Sequence, residues 1–393
     1  MQYHAESLLT LGWHVEFVGY RGSKPLTSLV EAEKSGRLRF HYLATPKDLS
    51  RRSPLQFLLI AGLRSISQMF SLLCILVVRC RSAKAVLCQT PPAMPVLAVV
   101  HFARCLTRSR LLLDWHNTSS SILAGKRGET SHIVKMMQIY ERTMARIPAR
   151  HLVVSEALQE LLSKGWKANG PIQVLRDRPH ARFKLLSEEE AERFLTSVGL
   201  ATAGEPSGRS LRLVSSTSWT EDEDFGVLLE ALRTYDRMAD ADASLAHLSI
   251  FISGKGPLLD SFVEKLAASK FRHSIVRTLW LEPQDYPRLL GSCDAGFSLH
   301  RSKWRLDLPM KIADMFGAGL PVIALGYPAL RELVRDGCNG LIIETSEDLA
   351  AAIARLQSGT LRDDMRTHVL NEYGRNRKRW EDEWRNTVLP LLS

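Results

Sequence analysis

The sequence predicts an α/β protein built from two doubly wound parallel sheets, that is, from two Rossmann-like domains. Short apolar runs of strand length alternate with longer segments of helix length, which is typical of parallel sheets covered by helices. The chain has 393 residues, a length that suits two α/β domains of about 150–200 residues each better than one core. Its composition, 45% hydrophobic and 24% charged, is that of a folded protein.

The second half of the chain alternates most plainly between the two kinds of segment. Each of six predicted strands is followed by a predicted helix. The strands are Leu211–Trp219, His247–Gly256, Ile275–Leu281, Asp294–His300, Pro321–Leu325 and Gly340–Glu344. The helices are Val227–Met238, Leu258–Ser269, Asp285–Ser292, Pro309–Gly319, Leu330–Arg335 and Ser346–Gln357.

The first half has the same alternation with a different beginning. Its predicted strands are His14–Tyr20, Leu38–Ala44, Ala85–Thr90, Arg110–Asn117 and His151–Glu156. A doubly wound sheet usually has its first strand near the centre, yet this chain begins with an amphipathic helix, Met1–Trp13, that would normally follow that strand. We therefore expect a chain shortened at its amino end, with a replacement strand from elsewhere as the alternative.

Domain limits follow from the breaks in this pattern. A charged segment with Pro179, Val174–Phe183, is the predicted linker. The predicted domains are residues 1–178 and 179–360, and residues 361–393 form a charged helical tail that we expect to pack back on the first domain. Ligands of open parallel sheets lie at the carboxyl ends of the strands, so the residues after the strands are the candidate site residues.

Charge is distributed unevenly between the two halves. Residues 1–178 carry 25 Lys and Arg against 11 Asp and Glu, a net +14, and the remainder is −4, which together give the net +10 of the chain. Such a basic half suits an anionic bilayer or a pyrophosphate ligand, although scattered solvated charge would give the same count. The basic stripe with interleaved aromatics that nucleic-acid binding needs is missing, so we predict no nucleic-acid partner.

Two further features bear on metals and membranes. The six cysteines show no CxxC pair and no ligand spacing with histidine, so we predict no metal site and mostly buried free thiols of a reducing compartment. We expect no signal peptide, because the first residues are those of an amphipathic helix. The longest apolar stretch, Leu55–Val78, is interrupted by Arg64 and bracketed by basic residues, so we interpret it as a helix that is either buried or lies in a membrane interface.

Two segments of the second half could bind a nucleotide sugar. Gly254, Lys255 and Gly256 follow a strand, where a glycine turn can bring backbone N–H groups and a lysine to a phosphate, although such a turn is often only a turn. At the start of the later helix, Pro309 suits the first helical position. Lys311 could hold a diphosphate there and Asp314 could accept hydrogen bonds from sugar hydroxyls, unless both belong to a solvated helix face.

Two other strand ends carry polar groups. Thr217 and Glu223 lie in a segment of hydroxyls and acids after the first strand of the second half, where the acids could instead serve only the following helix. Asp114 and His116 end a strand of the basic half. Transfer of a sugar with inversion needs a base near the acceptor hydroxyl, and these two are the candidates, with a structural role as the alternative.

These motifs together resemble the chitobiosyldiphosphodolichol β-mannosyltransferase family. The resemblance follows the order of the chain and covers nearly all of it. The matching segments are Asp114–Asn117, Ser215–Phe225, Gly254–Pro257, Trp280–Gly296, Leu306–Gly317, Glu332–Leu341 and Arg379–Leu392.

The resemblance implies a GT-B fold, with two Rossmann-like domains facing a cleft, and an inverting reaction at the cytosolic face of the endoplasmic reticulum membrane. GDP-mannose would donate mannose, in a β1,4 linkage, to the chitobiose of dolichyl pyrophosphate. No tightly bound cofactor is implied, and a need for Mg²⁺ stays open. Other early mannosyltransferases of the same pathway are suggested as partners.

The resemblance also divides the candidate residues between the two substrates. Residues 1–178 would be the acceptor and membrane-associated domain, with Asp114 and His116 on the acceptor side. Residues 179–360 would bind the donor. The donor residues would be Thr217, Glu223, Gly254, Lys255, Gly256, Leu308, Lys311 and Asp314.

Two other functions are compatible with the sequence. One is a shortened paralogue without catalytic activity that associates with glycosylation enzymes. The other is a different GT-B glycosyltransferase, such as a retaining enzyme. Retaining enzymes of this type commonly have two glutamates eight positions apart, whereas this chain has Asp307 and Asp314, seven apart; we therefore rank that function lower.

Overall fold

The computed structural model describes residues 1–22, 24–44, 54–200, 210–301, 306–374 and 380–392. It divides into two compact units, Met1–Leu175 with Trp384–Ser393, and Arg176–Glu383. A compact unit is not the same as an independently folding domain, so the limits at 178 and 360 remain predictions.

The first unit contains parallel strands in two separate sheets. Its strands are β1 (Val15–Tyr20), β2 (Leu38–Leu43), β3 (Ala85–Thr90), β4 (Arg110–Trp115), β5 (Arg150–Val153) and β6 (Ile172–Val174). One sheet is β1-β2 and the other is β3-β4-β5-β6. Within the described residues no strand pairs with both β1 and β3.

Helices cover both sheets of the first unit. They are α1 (Gln2–Thr10), α2 (Thr27–Lys34), α3 (Pro54–Cys74), α4 (Val96–Thr107), α5 (Ser119–Arg127), α6 (His132–Ala145) and α7 (Glu156–Glu160), with π-helical turns at Ile75–Arg79 and Leu161–Gly165. The helices α15 (Trp380–Thr387) and α16 (Leu389–Leu392) follow at the end of the chain. The first helix buries Ala5 and Leu9 against Leu29 and Leu38, which forms a small core beside β1 and β2.

The strand β4 is the best buried of the first unit. Leu112, Leu113 and Trp115 are fully buried, and β4 pairs with β3 on one side and β5 on the other. A strand covered on both faces must be apolar along its length, so the carboxylate of Asp114 near its end is exceptional. That carboxylate requires polar partners, because an isolated buried charge is costly.

The predicted apolar helix Leu55–Val78 corresponds to α3 and its following π-helical turn. The side chains of Leu72 and Leu76 are buried, whereas those of Leu63, Ile66 and Phe70 are largely exposed. In the described part of the chain, no helix has the length and apolarity needed to cross a membrane.

The second unit is a single six-stranded parallel sheet. Its strands are β7 (Leu211–Ser216), β8 (Leu248–Ser253), β9 (Ser274–Leu279), β10 (Ala295–Ser298), β11 (Val322–Leu325) and β12 (Gly340–Ile343), in the spatial order β12-β11-β10-β7-β8-β9. The chain winds outward from β7 in one direction and from β10 in the other. The order therefore reverses between β7 and β10, which is where doubly wound sheets bind ligands.

The helices of this unit are α8 (Glu188–Ser197), α9 (Gly226–Ala241), α10 (Leu259–Ala268), α11 (Tyr286–Gly291), α12 (Met310–Gly317), α13 (Ser346–Gln357) and α14 (Gly359–Tyr373). Helices α9 and α13 bury their apolar faces in the main core on the sheet. The doubly wound α/β fold predicted from the alternating pattern is confirmed.

Several local predictions were wrong. The segment Leu330–Arg335 is mainly a short 3₁₀ turn, Pro328–Glu332, whose proline at the start favours a tight turn. Pro309 is the residue before the first helical position of α12, not that position itself. The tail is three helices in its described parts. The cysteines are all free, but Cys105 is exposed and only three of the six are fully buried.

Candidate functional site

Asp114 lies at the centre of a hydrogen-bonded cluster in the first unit. Its Oδ2 atom is 2.8 Å from Nε2 of His116 and 3.2 Å from Nε2 of His4. The indole Nε1 of Trp384, on α15, donates a hydrogen bond of 2.8 Å to Nδ1 of His4. A chain of hydrogen bonds therefore runs from the tail of the protein through His4 to the carboxylate.

The indole fixes the tautomer of His4. An indole N–H can only donate, so Nδ1 of His4 must accept and the ring proton resides on Nε2, which donates to Asp114. Although side-chain ligand atoms of His4, Asp114 and His116 lie within 4.8 Å of one another, a protonated Nε2 has no lone pair for a metal. His4 is thus arranged as a donor to the carboxylate and not as a metal ligand.

Burial and hydrogen bonding have opposite effects on the Asp114 carboxyl. Burial would raise its pKa, but the hydrogen bonds from His116 and His4, together with their charge interactions, hold the pKa of Asp114 well below its usual range. The carboxyl is therefore ionised at any ordinary pH. Its low pKa makes it a weak proton acceptor, which favours a role in orienting the two imidazoles.

His116 is the accessible member of the cluster. Its side chain is 25% exposed, whereas the side chains of Asp114 and His4 are only 2% and 4% exposed. With Nε2 directed at Asp114, the lone pair of a neutral His116 ring resides on Nδ1. This pairing of a buried carboxylate with a reachable imidazole can orient a proton acceptor.

A buried glutamate holds the segment that follows this cluster. The fully buried carboxylate of Glu141, on α6, accepts hydrogen bonds from the backbone N–H groups of Ser119 (2.5 Å) and Ser120 (3.0 Å) at the start of α5. Burial raises the pKa of Glu141, and these hydrogen bonds oppose the rise. A negative group at a helix amino terminus also interacts well with the helix dipole.

We expect Glu141→Gln to destabilise the protein by about 1–3 kcal/mol, because an amide leaves a buried N–H group without an acceptor. The free energy of unfolding in urea measures this change. The exposed Glu160→Gln is the matched control and should have almost no effect. Equal stability of the two variants would contradict a capping role for Glu141.

In the second unit, Lys311 and Glu223 meet beside the point where the strand order reverses. Nζ of Lys311, on α12, donates hydrogen bonds to the Glu223 carboxylate and to the carbonyl oxygen of Ser216 (2.6 Å) at the end of β7. The side chains are only 13% and 5% exposed. Burial lowers the pKa of Lys311, and the Glu223 carboxylate opposes this. The ion pair places a buried cation where a parallel sheet binds anions.

Asp314 lies one turn beyond Lys311 on α12. Burial raises the pKa of Asp314 to about 7, Arg182 opposes the rise and Asp177 adds to it. Tyr286, which the sequence did not single out, donates a hydrogen bond of 3.0 Å to Oγ of Ser216. The end of β7 is thereby linked to both α11 and α12.

Gly254 and Gly256 permit close packing between two loops. A Cβ atom at Gly254 would lie 1.8 Å from the carbonyl oxygen of Thr217, and one at Gly256 would lie 1.7 Å from that of Ser218. The loop after β8 therefore packs directly on the loop after β7. Between the glycines, Lys255 extends outward and places Nζ 4.6 Å from the ring centroid of the exposed Trp280.

The remaining predicted donor residues have structural contacts. Oγ1 of Thr217 accepts a hydrogen bond of 2.9 Å from the backbone N–H of Trp219, which has a φ of 49°. Leu308 is buried just before α12. The structure therefore joins Thr217, Gly254 and Gly256 in one loop pair and Lys311 with Glu223 in one ion pair.

Sequence reasoning missed His4, Trp384, Glu141 and Tyr286. Both predicted catalytic residues lie in one cluster, but His4 is 110 positions away from Asp114 in the sequence, and no local spacing marks it. Trp384 lies in the predicted tail, where no motif marks it. One sequence signal could have marked Glu141, because it shares a helical face with the apolar Val134 and Ala145.

The folds of solved proteins define the class. A glycosyltransferase from Rickettsia africae aligns over 99% of this chain and 92% of its own, with a TM-score of 0.64 at 14% identity. Anabaena HepE, in complex with UDP and glucose, aligns over 92% and 95%, with a TM-score of 0.62 at 15% identity. The family model "Glycosyl transferases group 1" matches residues 211–358. The chain therefore has the predicted GT-B fold, and residues 211–358 form a glycosyltransferase domain.

Curated relatives define the family. The chitobiosyldiphosphodolichol β-mannosyltransferases of mouse and human are each 36% identical to this chain; the alignments cover all of the chain and 86% and 89% of those proteins. The Arabidopsis protein named UDP-glycosyltransferase TURAN is 31% identical over the whole chain and 94% of its own. The chain belongs to the chitobiosyldiphosphodolichol β-mannosyltransferase family, which confirms the resemblance seen in the sequence.

Proposed function

We propose that this protein transfers mannose from GDP-mannose to chitobiosyl-diphosphodolichol, forming a β1,4 linkage with inversion at the anomeric carbon. The proposal is carried by one observation, the identity of about 36% over the whole chain to relatives named for this acceptor and this β-mannosyl transfer. The protein would act at the cytosolic face of the endoplasmic reticulum membrane. The other early mannosyltransferases of the same pathway are candidate partners there.

On the acceptor side, His116 is the general base and Asp114 is its positioning residue. The assignment rests on accessibility, since His116 is the exposed member of the pair and the Asp114 carboxyl is buried with a depressed pKa. Nδ1 of His116 takes the proton of the acceptor hydroxyl as its oxygen bonds to the anomeric carbon of mannose. The bond from that carbon to the diphosphate breaks, and GDP leaves with the electron pair. Ionised Asp114 stabilises the imidazolium that forms.

On the donor side, Lys311 binds the diphosphate and stabilises the charge that develops on it. In the structure Lys311 is paired with Glu223. A bound diphosphate would either share Lys311 with Glu223 or displace the Glu223 carboxylate from it. Lys255 is a second cation for the phosphates, and the backbone around Gly254 and Gly256 lines the same loop pair. Asp314 accepts hydrogen bonds from sugar hydroxyls. Thr217 and Leu308 shape the site. Assaying the transfer with and without Mg²⁺ tests whether the reaction needs this ion.

The raised pKa of Asp314 predicts a pH-dependent stability. The folded protein holds this proton up to about pH 7, whereas the unfolded chain releases it near the ordinary value of 3.8. The folded state thus binds more protons between these values, so the contribution of Asp314 to stability is full below about pH 4 and is lost as pH rises through 7. We expect Asp314→Asn to flatten this fall, as measured by urea unfolding at several pH values.

The exposed Asp260→Asn serves as the control for that series, because it removes the same charge from the surface of α10. Its profile should follow that of the unchanged protein. If Asp314→Asn and Asp260→Asn gave the same pH dependence, Asp314 would not titrate in the folded protein near neutral pH.

The membrane surface is the second proposed partner. Apolar side chains are exposed along α3 (Leu63, Ile66 and Phe70) and along α6 (Ile133, Met136 and Ile139). Exposed apolar patches of this kind mark interaction surfaces, and the net +14 of residues 1–178 suits an anionic bilayer. These features support attachment of the first unit to the membrane that holds the lipid acceptor.

The test is transfer of labelled mannose from GDP-mannose to chitobiose on a lipid pyrophosphate. Transfer by this chain that His116→Ala abolishes would support the proposal. Because one relative is named a UDP-glycosyltransferase, UDP-sugars are assayed in parallel, and transfer from these alone would replace the donor assignment. Lack of transfer from any donor, in this chain and in one extended by upstream coding sequence, would favour the non-catalytic paralogue.

A further inference from the structure

We propose that the protein has a second anion site, which lies in the first unit at the opposite edge of the β3-β4-β5-β6 sheet from Asp114 and binds the phosphate group of an anionic lipid headgroup. An open pocket of about 580 Å³ lies at the amino ends of β4, β5 and β6. Four arginines line it: Arg104 and Arg108 at the end of α4, Arg110 at the start of β4, and Arg150 at the start of β5. The proposal does not depend on the transferase reaction.

Among the described residues that line the pocket, the positive charge has no compensating acid. None of the eleven described residues that line it is Asp or Glu. Arg104 donates to the carbonyl oxygen of Pro148, and Arg110 donates to that of Leu392. Carbonyl groups are neutral, so both guanidinium charges remain, and each guanidinium has five N–H donors of which these contacts use one. The side chains of Arg108 and Arg150 form no hydrogen bond or ion pair with any described residue.

Helix electrostatics explain only part of this arrangement. Basic side chains near the carboxyl end of a helix are stabilised by its dipole, which accounts for Arg104 and Arg108. Arg110 and Arg150 belong to strands, which have only small dipoles, and both face the same pocket. Four like charges around one depression repel one another, so an anion in the pocket would lower their energy.

The chemistry of the pocket selects a phosphate. Guanidinium groups bind phosphate oxygens through paired hydrogen bonds, and several arginines around one depression can share such a group. The pocket volume is larger than a single phosphate ion requires, and it admits a headgroup phosphate together with the neighbouring glycerol. A free phosphate offers the same contacts, and the experiment has to distinguish these two sources.

Neighbouring apolar residues favour the lipid as the source. Phe102 and Leu106 lie on α4 one turn apart, and their side chains are 56% and 55% exposed. They flank Arg104 in the sequence, and Leu106 is two residues from Arg108. Exposed apolar side chains beside basic ones are typical of surfaces that enter the boundary between headgroups and acyl chains. A site for free phosphate has no need of them.

The test compares two charge-matched double variants of the whole chain by co-sedimentation with vesicles. Arg108→Gln/Arg150→Gln removes the two arginines without partners and leaves the two that hold backbone carbonyls. Lys34→Gln/Arg37→Gln removes the same charge from two exposed positions, the last residue of α2 and the residue before β2. The vesicles contain phosphatidylcholine alone or phosphatidylcholine with phosphatidic acid. Thermal melting of both variants tests that they are folded.

We expect Arg108→Gln/Arg150→Gln to weaken binding to the phosphatidic acid vesicles by more than about tenfold, because each basic residue near an anionic surface contributes substantially. The control variant should bind within about twofold of the unchanged protein. Equal losses in the two variants would mean that binding follows net charge and would overturn the proposal.

Equilibrium dialysis with inorganic phosphate separates the two sources. If the unchanged protein retained phosphate through Arg108 and Arg150 while vesicle binding stayed the same in their variant, the pocket would be a site for free phosphate and the lipid assignment would be wrong. Loss of vesicle binding with little retention of free phosphate would support the lipid headgroup.

Discussion

Replacing His116 with alanine is expected to lower mannose transfer by about 10²–10⁴-fold, which is the usual contribution of a general base. The loss should be in kcat, because the donor residues lie in the other unit and GDP-mannose affinity should not change. Steady-state kinetics with a labelled donor and the lipid-linked acceptor measure both quantities. The control is His132→Ala, an exposed histidine of the same unit at the start of α6.

Asp114→Asn tests the arrangement around the base. An asparagine can accept a hydrogen bond from one imidazole but cannot stabilise an imidazolium through a charge. We expect a loss of transfer similar to that of His116→Ala and little further loss in the double variant, because the two residues act as one unit. Losses that multiply in the double variant would mean that Asp114 and His116 act independently.

Lys311→Met is expected to have two separable effects. Donor binding should weaken by about 1–3 kcal/mol, the scale of a lost charged hydrogen bond. The protein should also lose about 3–5 kcal/mol of stability, because Glu223 would be left as a buried charge without its partner. Calorimetric titration with GDP-mannose and unfolding in urea measure the two effects.

The double variant Lys311→Met/Glu223→Gln separates binding from stability. Removing both charges should restore much of the stability, since a buried ion pair replaced as a whole is often neutral in free energy. Donor affinity should stay low, because no cation is restored. The exposed Lys265→Met is the surface control. A double variant that regained donor affinity would show that Lys311 does not bind the diphosphate.

Local sequence was sufficient to group the proposed donor residues, because they follow strands of one parallel sheet. Apolar runs of strand length predicted β7, β8 and β10. The carboxyl ends of neighbouring parallel strands lie at the same edge of the sheet. The pattern thereby indicated that the segments of Thr217, Gly254 and Lys311 lie near one another. It could not show that Lys311 pairs with Glu223, since that contact depends on where the loop after β7 turns.

The cluster in the first unit depended more on the tertiary structure. Asp114 and His116 were visible as polar residues at the end of a buried strand. Their partner His4 comes from the first helix. His4 in turn accepts a hydrogen bond from Trp384 of the tail, which lies 380 positions away in the sequence. No periodicity relates such distant segments, and only their packing decides that an indole fixes the tautomer of a histidine beside the carboxylate.

By itself the sequence determined the fold class and the family and marked the candidate site segments, because alternating apolar runs and local motifs are properties of adjacent residues. Tertiary structure alone decided protonation and accessibility. Hydrogen bonds from two histidines depress the pKa of Asp114 in spite of its burial, whereas burial raises the pKa of Asp314. The four pocket arginines come from one helix and two strands. These properties depend on the field and solvent around each group, which segments distant in the chain create together.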